Sequence, residues 1–202
     1  DREQRRKGVV SASTGNHGAA VAYAAQKLNV RCLIFVPNDA SEAKLQNIKN
    51  YDAAIEIYGK DCVDSEMKAR EVAHQNEQVY VSPYNDPAVV AGQGTIGYEI
   101  NNQCDGLDVI IVSVGGGGLI GGTASYLKSV RPSLHVIGCS PENSAVMIHS
   151  MKKGEILDLE SLPTLSDGTA GGVEKHSITF SICKDIIDQT FLLSEQEIQN
   201  GM

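Results

Sequence analysis

The sequence lacks the features of three protein classes. None of its apolar runs approaches the roughly 18 residues of a membrane-spanning helix, and no apolar signal sequence opens it. Basic residues are not in excess: 17 Lys and Arg stand against 25 Asp and Glu, so the net charge of −8 argues against a nucleic-acid surface. We therefore expect a cytoplasmic protein that binds neither membranes nor nucleic acid.

Clustered metal ligands are also missing from the sequence. The five cysteines form no C-x-x-C pair, and the five histidines form no cluster, so their spacing predicts no metal site. Cys32 and Cys139 lie within apolar runs, where a reduced thiol acts as a small core residue. We interpret all five cysteines as structural.

A glycine-rich segment, Ser113–Gly122, is the most informative stretch that is present. It follows an apolar run at 108–112 that predicts a buried strand, and it leads into a predicted helix at 119–130. Four consecutive glycines leave backbone N–H groups uncovered where the helix dipole is positive. The segment therefore predicts a phosphate-binding loop.

Two kinds of ligand fit this loop. Gly116, Gly118 and Gly121 satisfy G-x-G-x-x-G, and Glu142 follows about twenty residues later, as in dinucleotide-binding domains. The alternative is a smaller cofactor such as pyridoxal phosphate, held by its single phosphate. The loop alone does not distinguish them.

A second polar motif occurs near the start of the chain, before a helical run at 19–28. Ser13, Thr14, Asn16 and His17 place several polar side chains at a predicted helix start, where unpaired N–H groups also point. Capping a helix needs one Ser or Asn. The motif therefore indicates ligand binding, and His17 is the histidine that we expect to face a ligand.

These motifs carry a resemblance to a known family. The sequence Ser-Thr-Gly-Asn-His-Gly at 13–18 resembles the asparagine loop of the fold-type II pyridoxal-phosphate enzymes, and 115–118 resembles their phosphate loop. Pro-Tyr-Asn-Asp-Pro at 83–87 and Ala-Gly-Gln-Gly-Thr-Ile at 91–96 are similar to segments of threonine/serine dehydratases and serine racemases. The resemblance implies a pyridoxal 5′-phosphate cofactor, a tryptophan-synthase-beta-like fold and a homodimer or larger homo-oligomer.

The resemblance also implies roles for individual residues. Asn16 would hydrogen-bond the phenolic oxygen of the cofactor. The phosphate would be held by the glycine loop and the residue after it: Gly115, Gly116, Gly117, Gly118 and Leu119. The carboxylate of a small amino-acid substrate would be held by polar residues of two motifs: Ser13, Thr14, His17 and Gln93. The implied reaction is that of an ammonia-lyase, which converts a β-hydroxy amino acid such as threonine or serine into a 2-keto acid and ammonia.

The subtype within the family depends on a few positions. Racemases carry Ser, their second proton carrier, where this chain has Thr14, and many dehydratases carry Ala. Thr14 is therefore a candidate re-side proton carrier, and a racemase remains an alternative. The segment 166–174 resembles the dehydratase-like eliminase of hydroxyectoine breakdown. This resemblance makes non-standard β-hydroxy or diamino acids further candidate substrates. The stretch 140–146 lacks the acid spacing of family members that bind a divalent cation.

Members of the family hold the cofactor as a Schiff base on a lysine. This lysine lies in a Ser-x-Lys-x-Arg-Gly-type motif upstream of the asparagine loop, and the motif is not found in this sequence. Lys7 is too close to the loop to replace it. We therefore expect this chain to be a fragment of a lyase and to be inactive by itself. Two other hypotheses remain: a dinucleotide-binding dehydrogenase domain, and a non-catalytic module that kept the phosphate loop and lost the lysine.

Strand-like and helix-like segments alternate along the chain, which predicts an α/β fold with two parallel sheets flanked by helices, incomplete at both ends. A boundary near Pro83 divides it into a small domain with the asparagine loop, 1–82, and part of a large cofactor-binding domain, 83–202. Within the small domain, a helix at 62–75 is predicted with Val63, Met67, Val72 and Ala73 on its apolar side.

Overall fold

A computed structural model describes residues 2–38 and 40–202. The chain divides into two compact units, one ending at Pro83 and the other comprising Tyr84–Met202. Each unit has its own sheet of parallel strands flanked by helices. The predicted α/β class with two parallel sheets is confirmed.

The first unit is a four-stranded parallel sheet. Its strands are β1 (Val9–Ala12), β2 (Cys32–Val36), β3 (Ala54–Ile57) and β4 (Val79–Val81), in the spatial order β3-β2-β1-β4. Its helices are α1 (Arg2–Lys7), α2 (Asn16–Lys27), α3 (Glu42–Lys49) and α4 (Cys62–Gln75). Val9 of the central strand β1 pairs with Cys32 on one side and Val79 on the other. Helices connect the parallel strands, as that geometry requires.

Both faces of this sheet are buried, because neighbouring residues of a strand point to opposite sides. Ile34 and Val36 pack into one cluster with Ile48 of α3, while Phe35 packs on the other side with Ala69 of α4. The bounds of α4 match the prediction, but its buried side consists of Ser65, Glu66, Ala69 and Ala73. Met67 is 59% exposed. The interpretation of Met67 as a buried position was therefore wrong.

The second unit contains a three-stranded parallel sheet in the order β5-β6-β7. Its strands are β5 (Val109–Ser113), β6 (His135–Pro141) and β7 (Gln189–Leu193). Its helices are α5 (Pro87–Gln103), α6 (Gly118–Val130), α7 (Val146–Lys153), α8 (Ile178–Ile186) and α9 (Glu195–Gly201). Short 3₁₀ turns occur at Glu142–Ser144 and Asp167–Thr169.

The core of the second unit lies on one side of its sheet, where Val112, Ile120, Leu127 and Val136 are buried together. The strand predicted at 108–112 is present, but it is buried on this side only: Ile111 is 66% exposed. The reason is that β5 is an outer strand of the described sheet and alternate residues face opposite sides.

The cysteines are free thiols in both units. Cys32 and Cys139, which we expected to act as small core residues, lie in strands and are only half-buried, whereas Cys183 of α8 is fully buried. Burial raises the pKa of Cys183 to about 12, so this thiol stays protonated. Among the described residues, no helix has the length and apolarity needed to cross a membrane.

Asp188 joins three elements of the second unit, just before β7 begins. Its Oδ2 accepts a hydrogen bond from the N–H of Val136 on β6 at 2.7 Å, and its Oδ1 accepts one from Lys128 Nζ of α6 at 2.7 Å. Burial acts to raise the pKa of Asp188, but these hydrogen bonds outweigh it, so the pKa lies below its usual range. The ionised form is therefore favoured by the folded state.

We predict that Asp188→Asn lowers the free energy of unfolding by about 1 kcal/mol at pH 7, a value discounted for partial exposure. The folded state binds the proton less tightly than the unfolded chain does. The stabilisation is thus present above the ordinary aspartate pKa, about 4, and is lost as the pH falls through the lower folded pKa. Urea denaturation of both proteins at pH 7 and at acidic pH measures this difference.

The exposed Asp185 of α8 provides the control, because Asp185→Asn removes the same charge away from Lys128 and Val136. We expect it to leave the free energy of unfolding unchanged. A stability difference for Asp188→Asn that persists undiminished at acidic pH would show that the carboxylate charge is not its cause.

Candidate active site

The glycine loop lies between the end of β5 at Ser113 and the start of α6 at Gly118. Gly117 is the N-cap of α6, with φ of 84°, a left-handed conformation that favours glycine. It offers no side chain to cap the helix, so the first N–H groups of α6 lack both intrahelical and side-chain partners. The predicted strand–loop–helix arrangement is present, and its N–H groups suit an anionic ligand.

Opposite its unpartnered N–H groups, the glycine loop packs too closely against the rest of the second unit for Gly115 or Gly116 to carry a side chain. A Cβ atom on Gly116 would lie 2.4 Å from a ring carbon of Tyr84, and one on Gly115 would lie 2.7 Å from the backbone oxygen of Thr169. Glycine is therefore required at both positions by close approach. These contacts fix the loop on one side. Gly115 and Gly116 are half-buried, Gly117 and Gly118 are buried, and none of the four carries a side chain that would cover its own N–H group, which fits a phosphate.

Tyr84 and Asn85 are tied to a distant segment that the sequence did not connect with them. The Tyr84 hydroxyl accepts a hydrogen bond from the N–H of Glu174 at 2.9 Å. Asn85 Nδ2 donates to Glu174 Oε2 at 2.6 Å, and Asn85 Oδ1 accepts from the N–H of Ile178 at 2.9 Å. This network orders the approach to α8 beside the glycine loop. The Pro-Tyr-Asn-Asp-Pro motif was the only signal of it.

In the first unit, the asparagine loop joins β1 to α2. The N-cap of α2 is Gly15, and no side chain caps the helix. Ser13 Oγ accepts only from the nearby Gly15 N–H at 3.2 Å, Thr14 is half-buried, and Asn16 is exposed at the first helical position. The side chains of Ser13, Thr14 and Asn16 thus do not serve as caps of α2 and remain available to a ligand.

His17 is held against the sheet of the first unit. Its Nε2 lies 3.1 Å from Ser11 Oγ and 3.3 Å from the backbone oxygen of Val81. Because Ser11 uses its single hydroxyl proton to donate to the same oxygen at 2.6 Å, His17 carries a proton on Nε2. Burial lowers the pKa of His17, despite an opposing effect of the Val81 bond, so the ring is neutral at pH 7. A contact with a substrate carboxylate stays a prediction.

The two remaining predicted residues lie in the second unit. Leu119 follows the glycine loop in the first turn of α6, and Gln93 lies on α5 against the same helix: a Cβ on Gly122 would lie 2.7 Å from the Gln93 Cβ. The structure thus brings Gly115–Leu119 together at one helix start, and it brings Ser13, Thr14, Asn16 and His17 together at another.

The residues considered for other ligands are less well placed. Glu142, the candidate ribose-binding acid, is an exposed residue of the 3₁₀ turn that follows β6. Within residues 2–38 and 40–202, no group of three His, Cys, Asp or Glu side chains could hold a metal ion. Neither the dinucleotide nor a metal gains support from the geometry.

Comparison with known proteins identifies relatives over nearly the whole chain. A curated L-threonine dehydratase, the catabolic TdcB of Staphylococcus aureus strain USA300, is 38% identical over 200 residues, which is 99% of this chain and 58% of the relative. The chain thus spans less than two thirds of the length of that protein.

Solved structures give the same assignment of fold. Maize serine racemase matches with a TM-score of 0.91 and 32% identity, over 100% of this chain and 61% of its own. The processed form of threonine deaminase isoform 2 from Solanum lycopersicum matches with a TM-score of 0.85 and 35% identity, over 96% of this chain and 56% of its own. The predicted fold type II is confirmed.

The family comparison distinguishes the two ligands that the glycine loop left open. The sequence profile of one family, described as pyridoxal-phosphate dependent enzyme, matches residues 1–202. This match confirms the resemblance, and with it the predicted cofactor. The hydroxyectoine branch is named by none of these relatives and stays a prediction. With its whole length matched, the chain belongs to the family of pyridoxal-phosphate dependent enzymes.

Proposed function

We propose that the protein is an ammonia-lyase that dehydrates a small β-hydroxy amino acid, such as threonine or serine, to a 2-keto acid and ammonia. The observation that carries the proposal is the uncapped glycine loop at the start of α6, in a chain 38% identical to an L-threonine dehydratase. We further propose that residues 1–82 form the small domain, that 83–202 belong to the large cofactor-binding domain, and that the protein forms homo-oligomers.

The phosphate of the cofactor is proposed to bind the backbone of Gly115–Leu119. The N–H groups at the start of α6 have no side-chain cap, and the helix dipole adds positive potential there. The proposal is supported by the close packing of Gly116 on Tyr84, because it fixes the loop before a ligand arrives. A fixed loop binds a phosphate without first losing conformational freedom.

The asparagine loop is proposed to orient the cofactor and the substrate. When bound, pyridoxal phosphate is an electron sink that makes the Cα proton of an attached amino acid acidic. Asn16, which is exposed, would donate a hydrogen bond to the phenolic oxygen. Ser13, Thr14, His17 and Gln93 would bind the substrate carboxylate. Since His17 is neutral and its Nε2 proton faces Ser11 and Val81, its ring has no proton to donate to a carboxylate. His17 would therefore contribute its backbone N–H at the start of α2.

Amino-acid racemisation is the second candidate function, because a serine racemase is among the structural relatives. Thr14 is the residue that separates the two reactions, since racemisation needs a group that returns a proton to Cα on the opposite side. A threonine hydroxyl has a pKa far above neutrality and transfers protons poorly unless its surroundings change it. The high pKa of this hydroxyl therefore favours elimination over racemisation.

The function is tested with the full-length product of the gene, supplied with pyridoxal phosphate and either L-threonine or L-serine. We expect formation of a 2-keto acid and an equal amount of ammonia, measured by reduction of the keto acid and by an ammonia assay. D-serine is measured in the same samples. Cofactor binding without either reaction would instead support the non-catalytic module.

Gly116→Ala is predicted to weaken binding of pyridoxal phosphate by tenfold or more. The new Cβ would meet the Tyr84 ring at 2.4 Å, so the loop has to move away from its present position. Gly201→Ala is the matched control, since a Cβ there meets nothing within 4 Å. Absorbance titration measures the dissociation constant, and circular dichroism checks the fold. Unchanged affinity in a folded Gly116→Ala protein would contradict the assignment of the loop.

Thr14→Ala is predicted to retain keto-acid production at saturating substrate, with a higher KM because one carboxylate contact is lost. It is predicted to remove any racemisation, because only that reaction uses the hydroxyl for proton transfer. Thr14→Ser keeps the hydroxyl without the methyl group and is expected to increase racemisation relative to the parent. Rates of pyruvate and D-serine formation from L-serine measure both effects. Loss of elimination in Thr14→Ala, with substrate binding intact, would give Thr14 a role that the proposal denies it.

A further inference from the structure

Three buried side chains donate hydrogen bonds to carbonyl groups of the glycine loop from the protein side. Ser140 Oγ of β6 donates to the oxygen of Val114 at 2.5 Å. Thr179 Oγ1 of α8 donates to the oxygen of Gly116 at 2.6 Å, and Cys183 Sγ of the same helix donates weakly to the oxygen of Gly117 at 3.8 Å. Ser140, Thr179 and Cys183 are each no more than 2% exposed.

The planarity of the peptide bond turns these contacts into a constraint on the loop's N–H groups. In a trans peptide, the carbonyl of one residue and the N–H of the next point in opposite directions. The N–H groups of Gly115, Gly117 and Gly118 therefore point away from Ser140, Thr179 and Cys183. Across residues 2–38 and 40–202, these three N–H groups find no hydrogen-bond acceptor.

The hydroxyl of Thr179 is itself held in place. It lies 2.6 Å from the hydroxyl of Ser177, and because its one proton goes to Gly116, Ser177 is the donor in that contact. Ser177 is the N-cap of α8, yet its side chain makes no capping hydrogen bond. The chain from Ser177 through Thr179 to Gly116 thus directs two hydroxyl groups toward the loop, and each bond polarises the next.

We propose that Thr179 and Ser140 are positioning residues that set the phosphate specificity of the cofactor site. By holding the carbonyls of Gly116 and Val114, they orient the N–H groups of Gly117 and Gly115 toward the phosphate without touching it. This inference rests on the proposed function of the loop. It adds that recognition of the phosphate depends on two hydroxyl groups on the opposite side of the loop.

The experiment compares pyridoxal 5′-phosphate with pyridoxal, which lacks the phosphate, in titrations of the full-length gene product. The ratio of the dissociation constant for pyridoxal to that for pyridoxal 5′-phosphate isolates the contribution of the phosphate. Thr179→Val keeps the shape of the side chain and removes its hydroxyl, whereas Thr179→Ser keeps the hydroxyl. We expect Thr179→Val and Ser140→Ala each to reduce the ratio about tenfold by weakening phosphate binding, and Thr179→Ser to retain it.

Ser150→Ala is the matched control, because Ser150 is a buried residue whose hydroxyl donates to a backbone oxygen, that of Val146 at 2.7 Å, away from the loop. It is expected to keep the parental ratio. A folded Thr179→Val protein with the parental ratio, or one that loses both ligands equally, would overturn the inference. If Thr179→Val does not fold, Ser140→Ala decides by the same criterion.

The result also separates this inference from the proposal beneath it. If the unaltered protein binds pyridoxal as tightly as pyridoxal phosphate, the phosphate site itself is wrong, and the positioning role is overturned with it. If the unaltered protein prefers the phosphorylated ligand and both hydroxyl-free variants keep that preference, only the positioning role is overturned.

Discussion

The structure depends on one constraint: a helix that follows a parallel strand begins with N–H groups that have no partner in the helix. Some helices of this chain satisfy them with side chains, as Asp61 does for α4 and Ser194 does for α9. The helices that follow the two motifs proposed to bind ligands do not, because their N-caps are Gly15 and Gly117. N–H groups without a side-chain cap at these two helix starts suit an anionic ligand.

Local patterns were sufficient to predict most of the architecture. The alternation of strands and helices predicted the parallel sheets, and the bounds of α4 agree with the predicted 62–75 because apolar spacing and flanking turn residues mark its ends. The capping box of Ser194 and Glu197 at the start of α9 is equally local, because both partners lie within one turn of helix. The glycine loop was found from composition, since four glycines in succession seldom serve packing alone.

Contacts between residues far apart in the sequence could not be predicted in this way. Three hydrogen bonds show this: they join residues that are 64, 89 and 63 positions apart in the sequence, namely His17 with Val81, Asn85 with Glu174, and Thr179 with Gly116. No periodicity encodes these pairs, because they arise only when separate elements pack together. The exposure of Met67 could not be predicted for a related reason. The helix α4 contacts the sheet through small residues such as Ala69, and which side of a helix contacts a sheet is decided only when the two pack together.

The buried thiol beneath the glycine loop has a consequence for chemical labelling. Cys183 lies against Gly117, and its pKa of about 12 leaves almost no thiolate at neutral pH. Alkylating reagents attack the thiolate, so they reach this sulfur only when α8 separates from the loop and water enters. The rate at which Cys183 becomes alkylated therefore reports how often α8 separates from the glycine loop, without an engineered probe.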